Sequence, residues 1–429
     1  MKKFIYCMIL AISLLLKNNY IVNAATNPPA VSADSVVLMD AKTGTILYSK
    51  NPDNAYPPAS TTKTMTALLT LENTKFSDVV TIGLNPPNEE GSALGIKEGE
   101  VLTVKDLLYG LLLESGNDCA GALAEHIAGS KEKFAIMMNE RAKKLGATNT
   151  NFVNPSGLYD DKHKTSAKDL ALIMKELIKF PEYKTIAMSP FYKIAPTNKV
   201  AEERTVNNGN KLVLKGKPEY YKDAIGGKTG YTIQSKHSYV AAAERNGQTL
   251  IVALVHDSVK TFFRDAPALL EYGFNNFELK QLFAKGDTLS TFSVNEETKL
   301  PLVASDNFYY VCEKNSTDCP TISVAEPTIN TKTISRGELL TNATITYKNS
   351  NLANIEINSG ADYEYKSPPP LLVASSTNPI AKTFKYLGMT IVAFIALTVS
   401  FLLITKQSRR KKRRQKYHEM MIHRNSKNI

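Results

Sequence analysis

Cysteine and histidine are scarce in this sequence, and that scarcity narrows the chemistry open to it. Four cysteines in 429 residues cannot build a disulfide framework. Cys7 lies in the leader described below. Cys119 falls inside a helical apolar pattern and reads as a small core residue. Cys312 and Cys319 have six residues between them, a spacing open to a small disulfide loop or to two separate thiols. The six histidines show no metal-ligand spacing: His126, His163, His237 and His256 are scattered, and His418 and His423 sit near the C-terminus. Each reads as surface or structural, so no metal and no cofactor is expected. The chain has no internal repeat, which excludes solenoid and propeller architectures.

Charge is missing from two apolar stretches. Phe4 to Leu16 follows Lys2 and Lys3 and precedes the small residues Ala24 and Ala25, the pattern of a secretory signal over residues 1–24. Tyr386 to Thr405 has no charged residue and would cover about 30 Å as a helix, one bilayer core. Arg409-Arg410-Lys411-Lys412-Arg413-Arg414 follows it as a stop-transfer cluster expected to stay in the cytoplasm, in a basic tail of residues 406–429. The formal charge is +11; a tail of +9 and a leader of +3 leave residues 25–405 at −1. The exported part is nearly neutral, so the basic balance reflects membrane orientation and anionic lipid, not a nucleic-acid partner.

Between these ends the texture changes twice. Ser35 to Tyr48 alternates around Asp40-Ala41-Lys42-Thr43-Gly44 as two strands and a turn. Helical periodicity is expected from Ser60 to about Asn73, over Val104–Ile127 on both sides of Ser115-Gly116-Asn117, and over Lys131–Lys144 and Ser166–Ile178. From Thr205 to His256 the pattern is β, with Thr249–His256 a fully buried strand, and Asp265–Phe274 closes the unit as a helix. These features predict an α/β (α+β) domain over residues 25–276. Residues 277–364 are rich in Thr, Asn and Ser in short alternating runs such as Asn342–Tyr347, which predicts a small all-β domain. Residues 365–385, with Pro368-Pro369-Pro370, read as a linker to a transmembrane helix at 386–405.

Three short motifs carry chemistry. Ser60-Thr61-Thr62-Lys63 places a hydroxyl and an amine on one helical face, near enough for the side chains to meet. A serine is a weak nucleophile until a base takes its proton, and lysine can do so only when burial or a neighbouring cation holds it neutral. Lys228 is a candidate neighbour, and the helix N-terminus at Ser60 favours negative charge developing there. Ser115 and Asn117 break a helical run and would add a proton relay and an orienting amide. Lys228-Thr229-Gly230 follows Gly226-Gly227, and small residues let a ligand approach a strand backbone.

Each motif has decoys. Ser130–Lys133 and Ser408–Lys411 also fit Ser-x-x-Lys but read as helix surface and stop-transfer charge. Lys42-Thr43-Gly44 precedes the nucleophile and sits at a hairpin tip, where glycine serves the turn.

The ordered set of three is an established signature of class A β-lactamases and penicillin-binding proteins. The chain resembles a low-molecular-weight penicillin-binding protein, a serine-type D-alanyl-D-alanine carboxypeptidase. The resemblance runs from Ser35 to Phe277 and includes Asp40, Gly44, Leu47-Tyr48, Pro58-Ala59-Ser60, Met65-Thr66-Ala67 and Asn117-Asp118. It continues through Met138-Asn139, Leu145-Gly146, Phe152, Asn154-Pro155, Gly157-Leu158 and Tyr272-Gly273-Phe274. It departs at Lys236-His237-Ser238, where the family has small residues around a glycine.

The resemblance implies a penicillin-binding-protein/β-lactamase-like fold, a peptidoglycan stem peptide as substrate and β-lactams as covalent inhibitors. It also implies that Ser60 forms the acyl-ester, Lys63 is the general base, and Ser115 and Asn117 complete the centre. Lys228 and Thr229 would hold the terminal carboxylate with the help of Arg264, and Gly230 and Tyr231 would complete the substrate-binding set. The backbone N–H groups of Ser60 and Tyr231 would form the oxyanion hole.

Three alternatives stay open: a class A β-lactamase-like hydrolase, a DD-endopeptidase or transpeptidase on the same fold, and a catalytically idle wall-binding module. The first needs a glutamate to activate the deacylating water, and residues 147–162 offer only Asp160 and Asp161.

Overall fold

The computed structural model describes residues 27–295, 298–329, 333–365 and 379–425; the expected signal (1–24) and most of the expected linker (365–385) lie outside these. One compact unit is formed by the described residues up to Thr328 together with Arg336–Ala361.

At its centre is a five-stranded antiparallel sheet. Strands β1 (Ser35–Asp40) and β2 (Ile46–Lys50) form the N-terminal hairpin, turned at Gly44 with φ +79°. After them come helix α1 (Lys63–Asn73), a small hairpin of β3 (Val79–Thr81) and β4 (Val101–Thr103), and helices α2 (Val104–Leu112), α3 (Asn117–Ala128), α4 (Lys131–Lys144), α5 (Ala167–Leu177) and α6 (Pro181–Met188). A second small hairpin, β5 (Phe191–Ile194) and β6 (Arg204–Asn207), leads to β7 (Ala224–Thr232), β8 (Lys236–Arg245) and β9 (Gln248–Asp257). The sheet order is β2-β1-β9-β8-β7, so the last three strands complete a sheet begun by the first two, and β7 is an edge.

Both faces of the sheet are covered, which is why β1 and β9 read as unbroken apolar runs. Val37, Met39, Ile251 and Ala253 pack against the helices α1 to α6. The alternate residues Val36, Leu38, Leu250 and Val252 pack against α7 (Phe262–Asn276) through Phe262, Ala266, Leu269 and Leu270. Side chains alternate across a strand, so each face feeds a different core.

Local signals set the helix ends. Thr103 and Asp106 form a capping box on α2, while Ser130 and Ser166 accept the N–H groups of Lys133 and Asp169 at 3.2 Å to cap α4 and α5. The Ser130 copy of Ser-x-x-Lys is therefore a helix cap. The Lys42-Thr43-Gly44 copy lies on the hairpin turn, with Lys42 Nζ 4.7 Å from the Tyr309 ring centroid.

Helix α7 runs directly into β10 (Phe277–Phe283). The strands β11 (Thr288–Ser293), β12 (Lys299–Ala304), β13 (Phe308–Glu313), β14 (Thr321–Val324), β15 (Leu339–Tyr347) and β16 (Ser350–Ser359) follow. They form a β10-β13 pair and a five-stranded sheet in the order β11-β12-β16-β15-β14, around small cores that include Phe283, Ile345, Leu302 and Ile357. Cys312 and Cys319 are free thiols.

The other unit contains α8 (Pro379–Asn425). Its stretch Leu387–Lys416 is long and apolar enough to cross a membrane, and its apolar side chains, such as Phe394 and Leu402, are exposed. The helix continues beyond the apolar run into the basic tail.

Candidate active site

The approach to Ser60 differs from the expected helix start. Ala59–Thr62 is a single 3-10 turn, and α1 begins at Lys63. Ala59 has φ +50°, a left-handed conformation that costs an alanine energy and must be held by its surroundings. Residues i and i+3 eclipse in a 3-10 turn, so Ser60 and Lys63 are brought together more directly than on an α-helix.

The surroundings that hold Ala59 are backbone. Gly157, with φ +82°, packs so closely that a Cβ there would lie 1.9 Å from the Ala59 carbonyl oxygen. On the other side, a Cβ on Gly230 would lie 2.8 Å from Pro58 O and 2.9 Å from Ser60 N. The Ser60 turn is thus wedged between a loop glycine and the edge strand β7, and glycine is required at both contacts.

Lys63 is completely buried, and its Nζ meets three oxygens: Asn117 Oδ1 at 2.6 Å, Ser156 O at 2.8 Å and Ser60 Oγ at 3.1 Å. Burial holds the amine well below the usual lysine range, and the nearby Lys228 pushes the same way against Cys119, Asp118 and Glu89. A neutral amine has two N–H donors and one lone pair. The two carbonyl oxygens, which can only accept, take the donors, and the lone pair is left for the Ser60 hydroxyl. This is the arrangement a general base needs.

Asn117 begins α3 and is fixed through two further atoms. Its N–H donates to Ser92 O at 2.7 Å and its Nδ2 to Glu90 O at 2.5 Å, which leaves Oδ1 facing Lys63. The next residue, Asp118, accepts the N–H groups of Leu94, Gly95 and Ile96 and ties the preceding loop to the same helix end. Ser115 sits between α2 and α3 with φ +65°. A strained non-glycine backbone in a cleft is a pointer to function.

Ser115, Lys228 and Thr229 line a cavity of about 350 Å³ together with Asn208, Asn210 and Gly227. Lys228 is 3% exposed, donates to Thr229 O at 3.0 Å, and is lowered to about 8 by burial. It is a cation at neutral pH placed at the edge of a sheet, beside strand backbone that can pair with an extended peptide. Tyr231 is 58% exposed and stacks on His237 at 4.5 Å between ring centroids. The departure at Lys236-His237-Ser238 therefore supports the tyrosine beside the cleft, with Lys236 taking the turn at φ +57°.

The structure brings together Ser60, Lys63 and Asn117 through hydrogen bonds, and Ser115, Lys228 and Thr229 around one cavity. Gly230 and Tyr231 extend the same strand against the nucleophile's turn. Arg264 is not in that group: it is exposed near the start of α7, its Nε donates to Asp265 Oδ1 at 2.8 Å, and it does not line the cavity. Two participants carried no signal in the spacing. The Ser156 carbonyl is a backbone atom, although the Asn154-Pro155 and Gly157 match marked its turn. His163, one of the scattered histidines, is buried against Thr62 of the Ser60 turn. Among the described residues no cluster of His, Cys, Asp and Glu could hold a metal. Cys119 is buried with its thiol pushed well up by that burial, which makes it unreactive.

Fold and site together define a penicillin-binding-protein/β-lactamase-like serine acyl-transfer domain followed by a β domain. Residues 22–258 match the family described as D-alanyl-D-alanine carboxypeptidase, and residues 277–365 match the C-terminal domain of penicillin-binding protein 5. The chain belongs to the D-alanyl-D-alanine carboxypeptidase family, peptidase S11, for which a serine acyl-enzyme mechanism is typical. It is 34% identical to the D-alanyl-D-alanine carboxypeptidase DacF of Bacillus subtilis, over 63% of this chain and 69% of that one. It is 33% identical to DacB2 of Mycobacterium tuberculosis, over 57% of this chain and 84% of that one. Among solved structures, penicillin-binding protein 5 from Haemophilus influenzae superposes with a TM-score of 0.67 at 28% identity, covering 79% of this chain and 99% of that one.

Proposed function

We propose that this protein removes the terminal D-alanine from peptidoglycan stem pentapeptides through an acyl-enzyme on Ser60, and that β-lactams acylate the same oxygen. The observation that carries this reading is the buried Lys63 amine, with two carbonyl oxygens on its donors and the Ser60 hydroxyl on its third side.

Lys228 and Thr229 hold the substrate's terminal carboxylate beside β7. Ser60 Oγ attacks the carbonyl carbon of the penultimate D-alanine while Lys63 takes its proton. The developing oxyanion is stabilised by the N–H groups of Ser60 and Tyr231. The C–N bond breaks, and the amine of the leaving D-alanine receives a proton from Lys63 by way of Ser115. Water then attacks the ester carbonyl and gives a proton to Lys63; as the C–O bond to Ser60 breaks, Lys63 returns that proton to Ser60 Oγ, which restores the hydroxyl and the neutral amine. Arg264 would join the carboxylate only by turning away from Asp265.

The β-lactamase alternative is disfavoured by what surrounds Lys63. Among the described residues no carboxylate hydrogen-bonds Ser60 or Lys63. Asp160 accepts from Lys162 N and Asp161 from Tyr159 Oη, and the Ser156 carbonyl fills the face of Lys63 that the loop offers. Deacylation of a penicilloyl-enzyme is therefore slow. The domain would lie outside the cell membrane, anchored by α8 with the basic tail in the cytoplasm.

Release of D-alanine from a pentapeptide, measured with and without an amine acceptor, tests the function. Free D-alanine with the tetrapeptide as product supports the carboxypeptidase. Product joined to the acceptor would make it a transpeptidase, and no D-alanine release would leave a binding module.

A further inference from the structure

His163 is buried, 1% exposed, and has no part in the steps above. Its Nδ1 accepts the Val153 N–H at 3.1 Å, which places the ring proton on Nε2. Nε2–H then donates to Thr62 Oγ1 at 2.8 Å. Thr62 is the last residue of the Ala59–Thr62 turn and immediately precedes Lys63. Val153 opens the turn that presents the Ser156 carbonyl: Asn154 Oδ1 accepts the N–H groups of Ser156 and Gly157 at 3.2 and 2.8 Å, and Thr66 Oγ1 donates to Pro155 O at 2.6 Å. Phe152 meets the imidazole edge-on at 5.5 Å between ring centroids. One imidazole thus spans the two backbone segments whose separation sets the distance from Lys63 Nζ to Ser156 O.

We propose that His163 is a positioning residue for acyl transfer, clamping the 153–157 turn to Thr62 so that the Ser156 carbonyl stays on the Lys63 amine and water stays off it. This inference rests on the reading of Ser60 as nucleophile and Lys63 as base. A neutral imidazole suits the task because it accepts at one nitrogen and donates at the other. Burial keeps the ring neutral; the charge of Asp160 favours protonating it, and Lys63 opposes that.

Loosening the clamp admits water to Lys63. The amine is kept neutral chiefly by burial, with Lys228 in support and Cys119, Asp118 and Glu89 against. Solvating it raises its proton affinity, so a larger share of molecules lacks a free base at a given pH. The acid limb of the acylation rate moves to higher pH, which a merely structural loss does not produce.

The test follows acylation of the full chain by a fluorescent penicillin across pH, separating the binding constant from the acylation rate. His163→Ala removes both bonds, Thr62→Val removes one, and His163→Gln returns an amide donor. The expected result is an acylation rate lowered about tenfold or more in His163→Ala, with binding nearly unchanged and the acid limb raised by about one pH unit. Thr62→Val shows part of the effect, the double variant no more than His163→Ala, and His163→Gln a partial recovery. Wild-type rate and an unmoved limb in both single variants would overturn the inference, as would strictly additive losses. If His163→Ala does not fold, the limb of Thr62→Val decides alone. A wild-type protein that takes no adduct sinks the acyl-transfer reading itself; an acylating wild type matched by its variants sinks only the role of His163.

Discussion

Asn117 Oδ1 lies 2.6 Å from Lys63 Nζ, and the amide that carries it cannot turn away because its Nδ2 is held by Glu90 O. A neutral oxygen at this position accepts a hydrogen bond without adding charge beside the base. Asn117→Asp keeps the shape and adds a negative charge, which stabilises the protonated lysine. Acylation near pH 7 should fall by about a hundredfold and recover as pH rises. Stopped-flow acylation by a fluorescent penicillin checks this, and a flat pH response would count against a neutral Lys63.

Lys228 sets the alkaline side. Its ammonium titrates at about 8, so the cation that would hold a substrate carboxylate is lost as pH rises through that value. Because kcat/KM reports the free enzyme, it should decline above pH about 8, with the loss appearing in KM. Steady-state D-alanine release from a pentapeptide between pH 7 and 10 reads this directly.

Gly157→Ala meets two penalties at once. The position has φ +82°, and the added methyl would lie 1.9 Å from Ala59 O. The backbone must move, and the turn that moves is the one carrying Ser60. A loss of about 3 kcal/mol or more of stability is expected, with acylation reduced in whatever fraction stays folded. Thermal unfolding together with active-site titration separates the two effects.

Burial lowers His163 to about 4. The unfolded histidine titrates near 6.5, so between about pH 6.5 and 4 the unfolded state binds the extra proton and the fold loses stability as pH falls. The loss should approach roughly 3 kcal/mol at pH 4, and it should be absent in His163→Gln. Urea unfolding at pH 7 and pH 4 for both proteins measures it.

Much of the candidate site was legible because its side chains form an uncommon ordered set, and its decoys could be separated by context. The Ser130 copy proved to be a helix cap and the Gly44 copy a hairpin turn. The fold class followed from periodicity, since strands buried on two faces and amphipathic helices leave different patterns. The missing parts are those that side-chain patterns do not encode. The 3-10 turn at Ala59–Thr62 depends on a positive φ imposed by Gly157 and β7, so it is a tertiary effect on a short segment. The Ser156 carbonyl belongs to a backbone that any residue supplies. His163 stands alone in sequence, and its bonds to Thr62 and Val153 appear only when the loop folds under α1. The helices α6 and α7 show the same limit: the periodicity raised no expectation for Pro181–Met188, and α7 starts at Phe262, ahead of the expected Asp265.

The most direct measurement is the intact mass of the full chain after incubation with a penicillin. The account predicts one stable adduct of the drug's whole mass, located on Ser60 and absent from Ser60→Ala. An unmodified chain, an adduct elsewhere, or an adduct lost rapidly as the drug is hydrolysed would contradict it.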